Sequence, residues 1–106
     1  MSNLKENNII CPVSKFTEML GGKWKLIIVD NIRKRGAVRF GQLAASIPGI
    51  SRKVLTDQLK ELVKSGLVKR KQYNQVPLKV EYSLSIESEN LCEIFKQIDG
   101  WVKNNF

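Results

Sequence analysis

The sequence predicts a mainly α-helical domain that carries one small β-hairpin. Apolar residues recur at helical spacing in several segments, and two later segments alternate apolar with polar residues as strands do. Glycines and prolines separate these segments. A chain of 106 residues suits a single domain spanning residues 1–106, because two independent cores are hard to build at this length.

Two helices are predicted in the first third of the chain. Proline favours a first helical position, so a short helix should extend over Pro12–Leu20, where Gly21 and Gly22 interrupt it. The next helix should span about Lys23–Lys34 before a glycine ends it. Its apolar stripe consists of Trp24, Ile27, Ile28 and Ile32. Residues 1–10 are expected to be flexible.

The middle of the chain predicts two helices joined by a turn. A short apolar segment at 37–40 is a candidate minor strand, and Gln42–Ile47 can form about two helical turns. The Pro-Gly pair at 48–49 is a turn signal. Ser51 is a natural N-cap for a second helix over about Arg52–Ser65.

This second helix has a clear inside and a mostly basic outside. The inner face consists of Leu55, Leu59, Leu62 and Val63. The outer face consists of Lys53, Thr56, Asp57, Lys60 and Lys64. A basic face can be an ordinary solvated surface or a surface that lies against a polyanion, and the rest of the chain has to decide between them.

The final third predicts a hairpin and one more helix. Strands are expected near Leu67–Tyr73 and Lys79–Leu84, joined by a loop that contains asparagine and proline. Ser85 then caps a helix that should start at Ile86 and run to the end of the chain. A helix-turn-helix followed by a β-hairpin is a winged helix-turn-helix, a fold whose second helix enters the DNA major groove.

The charge distribution supports a nucleic-acid partner. The net charge is +8, and residues 23–84 hold the whole excess, because residues 1–22 are balanced and residues 85–106 are net acidic. Taken alone, the basic helix face could be an ordinary solvated surface, and the lysines of the hairpin could protect a strand edge against aggregation. In a winged helix-turn-helix, however, both would face one double-stranded DNA ligand. The candidate DNA-binding residues are Arg39, Ser51, Arg52, Lys53, Thr56, Lys60, Lys71, Asn74 and Lys79.

The two cysteines predict different roles. Cys11 directly precedes Pro12 and should lie at the N-terminus of the first helix, where the helix dipole and the nearby Lys15 favour a thiolate. A low-pKa, accessible thiol suits a sensor of oxidants or electrophiles, although a small half-buried residue without redox function is the alternative. Cys92 lies beside Phe95 and is interpreted as a buried structural cysteine. The alternative is an intersubunit disulfide with Cys11, which requires their Cα atoms to approach within about 7 Å.

Several segments resemble a known family. The stretches "CPV", "LGGKWKLIIV", "RFGQLAASIPGISRKVLTDQLKELVKSGLVKR" and "VPLKVEYSLS" are similar to the HxlR-type winged helix-turn-helix regulators, relatives of the MarR group. The resemblance covers about Cys11–Trp101. One departure follows the wing, where the family often has a Thr-Pro-x-Gly-like turn and this chain has "SIESEN".

This resemblance implies a bacterial transcription factor that binds a palindromic operator as a homodimer. We interpret it as a repressor rather than an activator. Some HxlR-type regulators sense disulfide stress, quinones or aldehydes through a cysteine at the position of Cys11. The last helix independently predicts dimerisation, because its apolar stripe exceeds what one small core needs. Within the predicted dimerisation segment 85–106, the interface residues are Leu91, Ile94, Phe95, Ile98, Trp101 and Val102.

Other classes are less well supported. The chain has no histidine and no cluster with metal-ligand spacing, so we expect neither an enzyme nor a metal or other cofactor. No apolar run is long enough for a membrane span, and a cytoplasmic location is expected. Two alternatives to a thiol-regulated repressor remain open, namely a regulator switched by a non-covalent ligand in the dimer cleft and a sequence-nonspecific architectural DNA-binding protein.

Overall fold

The structure is a computed structural model that describes residues 11–106; the predicted flexibility of residues 1–10 lies outside this range. It confirms a mainly helical winged helix-turn-helix with a small sheet. The elements, in chain order, are α1 (Pro12–Leu20), α2 (Lys25–Arg35), β1 (Val38–Arg39), α3 (Phe40–Ser46), α4 (Arg52–Lys64), β2 (Val68–Tyr73), β3 (Lys79–Leu84), α5 (Ile86–Glu89) and α6 (Cys92–Asn105).

The first two helices lie close to their predicted bounds. Helix α1 has the predicted limits, and α2 starts two residues later than predicted because Trp24 is its N-cap. Gly36 ends α2 with a φ of 86°, a conformation that glycine adopts at little cost, and its N–H donates to the carbonyl of Ile32. The predicted stripe of α2 was partly wrong: Ile28 and Ile32 are buried as predicted, but Ile27 is 41% exposed and Val29, which was not in the stripe, is buried.

The helix-turn-helix follows local capping rules. Helix α3 starts earlier than predicted, at Phe40, because the N–H of Arg39 donates to Oε1 of Gln42 at 2.9 Å and caps the helix there. Ser51 caps α4 as predicted, since its Oγ accepts from the N–H of Val54 at 3.0 Å.

The sheet has three antiparallel strands in the order β1-β3-β2. The short apolar segment before α3 is indeed a minor strand, and Val38 pairs with Tyr82. In the hairpin, Val68 pairs with Leu84 and Tyr73 pairs with Lys79. Strand β3 is therefore central, and the two long strands β2 and β3 project beyond the short strand β1 as the wing.

One core joins the helices to the inner ends of the strands. Its buried apolar residues are Leu20, Ile28, Val29, Ile32, Val38, Leu43, Ile47, Leu55, Leu59, Leu62, Leu67, Val68 and Leu84. Three leucines of α4 belong to this set, so the core fixes which face of α4 remains outside. None of the helices in residues 11–106 is long and apolar enough to cross a bilayer.

The C-terminal segment corrects the prediction of one continuous helix from Ile86. Helix α5 ends after one turn, and α6 begins only after Asn90 and Leu91. The hydroxyls of Ser85 and Ser88 are buried and both donate to the carbonyl of Leu67. These hydrogen bonds anchor α5 against the start of β2, and α6 leaves it as a separate helix.

Candidate nucleic-acid interface

The outer face of α4 presents a mixture of free and paired polar groups. Lys53 is highly exposed, and its ammonium lies 2.9 Å from Oδ2 of Asp57 one turn later. The hydroxyl of Thr56 donates to the carbonyl of Arg52 at 2.8 Å, which leaves its lone pairs and methyl group outside the helix. The predicted N-terminal contacts of α4 therefore lie together, but one acidic side chain lies among them.

Arg52 is held by an aromatic ring rather than by a carboxylate. Its guanidinium lies 4.9 Å from the centroid of the Phe40 ring, at the start of α3. This contact connects the two helices of the helix-turn-helix. It also leaves the guanidinium N–H groups without an acidic partner among residues 11–106, so they are available for phosphate or base edges.

Further along α4, the cations converge with the wing. Lys60 and Lys64 are exposed, and together with Thr56 they line one groove whose opposite wall includes Arg70 of β2. Basic side chains of α4 and of the wing therefore face one groove. Arg70 was missed in the sequence, because only the register of the hairpin shows which basic residues of β2 turn towards α4.

The wing contains a compact cluster around Tyr73. The ammonium groups of Lys71 and Lys79 lie 4.7 and 4.5 Å from the Tyr73 ring centroid. The Tyr73 hydroxyl donates to Oε1 of Glu81 at 2.7 Å, and Lys79 lies 3.7 Å from the other oxygen of the same carboxylate. The hydrogen bond to Glu81 is the largest cause of a raised Tyr73 pKa, followed by burial and by the charge of Glu81.

The sequence alone suggests that Lys71, Asn74 and Lys79 lie together at the tip of the hairpin, but Lys79 does not lie there. It lies at the base of the loop rather than at the tip, half-buried between a ring and a carboxylate. The tip itself exposes Asn74 as predicted, together with two apolar side chains that were not predicted there. Val76 is 98% exposed and Leu78 is 59% exposed.

Arg39 lies at the edge of the wing. It is exposed, pairs with Glu81 in the β1–β3 register, and donates from a guanidinium nitrogen to the carbonyl of Leu78 at 3.4 Å. The structure therefore groups Arg39 with the wing residues Lys71, Asn74 and Lys79. The other candidates are the N-cap Ser51 and the α4 residues Arg52, Lys53, Thr56 and Lys60.

Cys11 is exposed at the N-cap of α1. The backbone amides of Ser14 and then Val13 lower the pKa of its thiol, and burial opposes them. The sulfur makes no capping hydrogen bond, so we attribute the effect to N–H dipoles at the helix end, not to Lys15. Cys92 is half-buried rather than buried, and it borders a cavity of about 300 Å³ that also contacts Lys69 and Ser83.

The six predicted interface residues divide into two groups. Leu91 and Phe95 pack against the core of their own domain, and the Arg33 guanidinium lies 5.3 Å from the Phe95 ring centroid. The other four are exposed: Ile94, Ile98 and Val102 at 45% each and Trp101 at 60%. The apolar surface of α6 is thus smaller than the stripe that the sequence predicted.

The winged helix-turn-helix with this basic surface defines a class, the DNA-binding transcriptional regulators. The sequence model of the HxlR-like helix-turn-helix family matches residues 19–106. The chain belongs to the HxlR family. It is 44% identical over 94 residues to an uncharacterised HTH-type transcriptional regulator of Halalkalibacterium halodurans, covering 88% of this chain and 83% of that one.

Two solved structures show the same fold. The redox regulator HypR in its oxidised form is 40% identical with a TM-score of 0.81, and the match covers 91% of this chain and 98% of that chain. The reduced form of the transcriptional regulator YodB from B. subtilis is 30% identical with a TM-score of 0.77, covering 92% and 95%. Within residues 11–106, no three His, Cys, Asp or Glu side chains cluster as a metal site.

Proposed function

We propose that this protein is a cytoplasmic, homodimeric repressor that binds a palindromic operator and responds to oxidants or electrophiles through Cys11. The observation that carries the DNA-binding part is the convergence of α4 and the wing, where Thr56, Lys60 and Lys64 share a groove with Arg70. The positive charges of Lys60, Lys64 and Arg70 in this groove complement the negative phosphate backbone between a major and a minor groove.

In the proposed complex, the N-terminal turn of α4 reads bases. The residues that would meet base edges are those at the start of the helix, namely Ser51, Arg52, Lys53 and Thr56. Lys60 lies further along the helix and would contact phosphates. Asn74, Lys71 and Arg39 would then contact the minor groove or its flanking backbone. The bare apolar side chain of Val76 at the wing tip suits van der Waals contact with the minor-groove floor.

Dimerisation is supported by apolar surface that the monomer leaves uncovered. Ile94, Ile98, Trp101 and Val102 of α6 are exposed, and α1 exposes Val13 at 71%. A second copy of the chain, related by a two-fold axis beside α6, would cover this surface. It would also place two recognition helices about 34–36 Å apart, one turn of DNA, which is the geometry that a palindrome requires.

The sensing role of Cys11 is supported by its exposure and by the helix amides that lower its pKa. The similarity to HypR, a redox regulator, favours the same interpretation. Oxidation or alkylation beside α1 would act at an end of the proposed dimer surface. A repressor whose dimer geometry changes there no longer matches two half-sites at once.

The experiment is a binding titration of the reduced protein at about 0.15 M salt. One duplex is the region upstream of its own gene, and the other is a shuffled duplex of equal length. A preference of about 10³-fold or more supports a sequence-specific regulator. Near-equal affinities, also for fragments selected from a random pool, would favour the architectural alternative.

Three variants complete this experiment. Lys53→Ala should cost about 1–3 kcal/mol of binding free energy on the preferred duplex and much less on the shuffled one if Lys53 contacts a base.

Diamide or a quinone should release the operator from the parent protein and from Cys92→Ser, but not from Cys11→Ser. Release of Cys11→Ser by the same reagent would refute the sensing role and leave the DNA-binding role intact.

A further inference from the structure

Asp57 is an acidic residue on the outer face of the proposed recognition helix. It lies two residues after Leu55 and two residues before Leu59, and both leucines are buried. Since an α-helix turns by about 100° per residue, a residue two positions from each of them points to the opposite side. Asp57 therefore points away from the core, in the direction from which DNA would approach α4.

An open depression beside the first turns of α4 contains this carboxylate. Its volume is about 500 Å³, and its lining consists of Phe40, Arg52, Lys53, Thr56 and Asp57. The other acidic residue of α4, Glu61, pairs with Lys25 of α2 instead. Asp57 is thus the one carboxylate among the described residues of this lining, and three of its neighbours there are proposed to read bases.

A carboxylate in this place is unfavourable for contact with the DNA backbone. It repels phosphates, and it offsets part of the charge of Lys53, whose ammonium lies 2.9 Å from its Oδ2. An ion pair between two exposed partners on a helix surface also contributes little to stability. Base edges differ from the backbone, because they include hydrogen-bond donors that a carboxylate can accept from.

The donors and acceptors of the Lys53–Asp57 pair match one kind of base pair. A lysine ammonium has three N–H groups, so the hydrogen bond to Asp57 leaves two for other acceptors. A G·C pair presents the guanine acceptors N7 and O6 side by side, followed by the N4 amino group of cytosine. An A·T pair instead places the amino group of adenine between its two acceptors. Two donors beside one acceptor therefore complement G·C better than A·T.

We propose that Lys53 and Asp57 together read one G·C base pair in each half-site. Lys53 donates to N7 and O6 of guanine, and Asp57 accepts from the N4 amino group of cytosine. Asp57 is then a specificity-determining residue, and it also acts against other duplexes, where its charge has no donor and repels phosphates. This role rests on the proposed DNA-binding function and adds to it which base pair this part of α4 reads.

The test begins with selection of duplexes from a random pool by the parent protein, followed by affinity measurements on single base-pair replacements. One G·C position in each half-site should lose about tenfold or more in affinity when it becomes A·T, equivalent to about 1.4 kcal/mol. Lys53→Ala and Asp57→Ala should both relax the preference at this same position and keep the preferences elsewhere. Asp57→Asn should move the preference towards A·T, because an amide donates to N7 and accepts from N6 of adenine.

Asp99→Ala is the matched control. Asp99 pairs with Lys103 one turn later on α6, at 3.0 Å, so the control removes an ion pair of the same kind and changes the net charge equally. It should keep every base preference of the parent. At low salt, Asp57→Ala should bind the shuffled duplex more tightly than Asp99→Ala does, because the removed charge faces the DNA only in Asp57→Ala.

The possible outcomes separate this role from the proposed function. A uniform gain in affinity for Asp57→Ala, with every base preference kept, would mean that Asp57 only repels phosphates and would overturn the proposal. Relaxation at different positions in Lys53→Ala and Asp57→Ala would overturn the shared base pair. If the parent protein selects no preferred duplex, sequence-specific binding fails and the role of Asp57 fails with it.

Discussion

The ammonium of Lys25 lies 2.7 Å from Oε1 of Glu61, a pair that joins the first residue of α2 to the outer side of α4 across 36 residues of sequence. The Lys25 side chain is only 15% exposed, whereas that of Glu61 is 57% exposed. Lys25 and Glu61 also line one cavity together with Lys15 and Met19 of α1. Three helices therefore meet at one ion pair beside the proposed recognition helix.

We expect this pair to contribute more to stability than the helix-surface pair Lys53–Asp57. Partial burial of Lys25 reduces solvent screening, so a double-mutant cycle of Lys25→Met and Glu61→Gln should give a coupling of about 1 kcal/mol. The matched cycle of Lys53→Met and Asp57→Asn should give about 0.3–0.5 kcal/mol, because both partners are well exposed. The measurement is urea unfolding at low and at high salt.

High salt should reduce the Lys53–Asp57 coupling more than the Lys25–Glu61 coupling, because exposed charges are screened most. A Lys25–Glu61 coupling near zero would show that the pair does not fix α4 to α2 in solution.

The local parts of this fold could be predicted from sequence. The limits of α1, the cap at Ser51 and the strand pair of the hairpin follow from residues within a few positions of each other. The break between α5 and α6 could not be predicted, because it depends on hydrogen bonds from Ser85 and Ser88 to Leu67, 18 and 21 residues away. The apolar period simply continues through the break.

The candidate site, like the fold, could be predicted from the sequence only in part. The basic face of α4 is visible in its periodicity, so Lys53, Thr56 and Lys60 could be selected from the sequence. The groove beneath them depends on Phe40, Arg70 and Tyr82, which come from three different elements. No local pattern brings these residues together, and only the tertiary structure shows that they share one lining.

Lys60 should contribute more to DNA binding than Lys79. Lys60 is exposed without an acidic partner in the described residues, whereas the charge of Lys79 is partly offset by Glu81 at 3.7 Å. Lys60→Ala should weaken all duplexes alike and reduce the slope of log Kd against log salt by about one unit, as expected for one lost phosphate contact. Lys79→Ala should give a smaller change, because the Glu81 carboxylate already offsets part of the Lys79 charge.

The measurement is a titration of one duplex at four or more salt concentrations. Equal slope changes for the two variants would mean that Lys79 leaves Glu81 when DNA binds. An unchanged slope for Lys60→Ala would place Lys60 outside the interface.

Dimerisation should depend on the exposed apolar part of α6. Ile98→Glu places a charge in the proposed interface, where desolvation costs several kcal/mol, so the dimer Kd should rise about a hundredfold or more. Ile86→Glu is the matched control, because Ile86 is 73% exposed on α5 and lies outside the apolar face of α6. Sedimentation equilibrium measures both variants; an unaffected dimer in Ile98→Glu would move the interface elsewhere.

The wing should lose stability at high pH. The hydrogen bond to Glu81 raises the pKa of Tyr73 above its ordinary value of 10.0, so the unfolded chain releases this proton first as pH rises. The stabilisation is therefore complete below about pH 10 and is lost as pH rises through the folded-state pKa. Tyrosinate absorbance in the Tyr82→Phe background isolates the Tyr73 titration.

Glu81→Ala should move the Tyr73 midpoint down towards 10.0, because it removes both the hydrogen bond and the charge that raise the pKa. Glu93→Ala, an exposed acidic residue of α6, is the control and should leave the midpoint in place. A parent midpoint at or below 10.0 would contradict the hydrogen bond between Tyr73 and Glu81.

Cys11 should react as a thiolate at lower pH than an ordinary cysteine. The amides of Ser14 and Val13 lower its pKa from 9.0, and Cys92→Ser removes the only other thiol of the chain. Iodoacetamide alkylation rates measured against pH in this variant should therefore have a midpoint below 9.0, and urea should raise it towards that value by melting α1. Since the folded pKa is the lower one, the thiolate stabilises the fold fully above pH 9 and loses this contribution as pH falls through the folded pKa. Identical midpoints in native and urea-unfolded protein would show that the helix end does not activate Cys11, and its sensing role would then have no chemical basis.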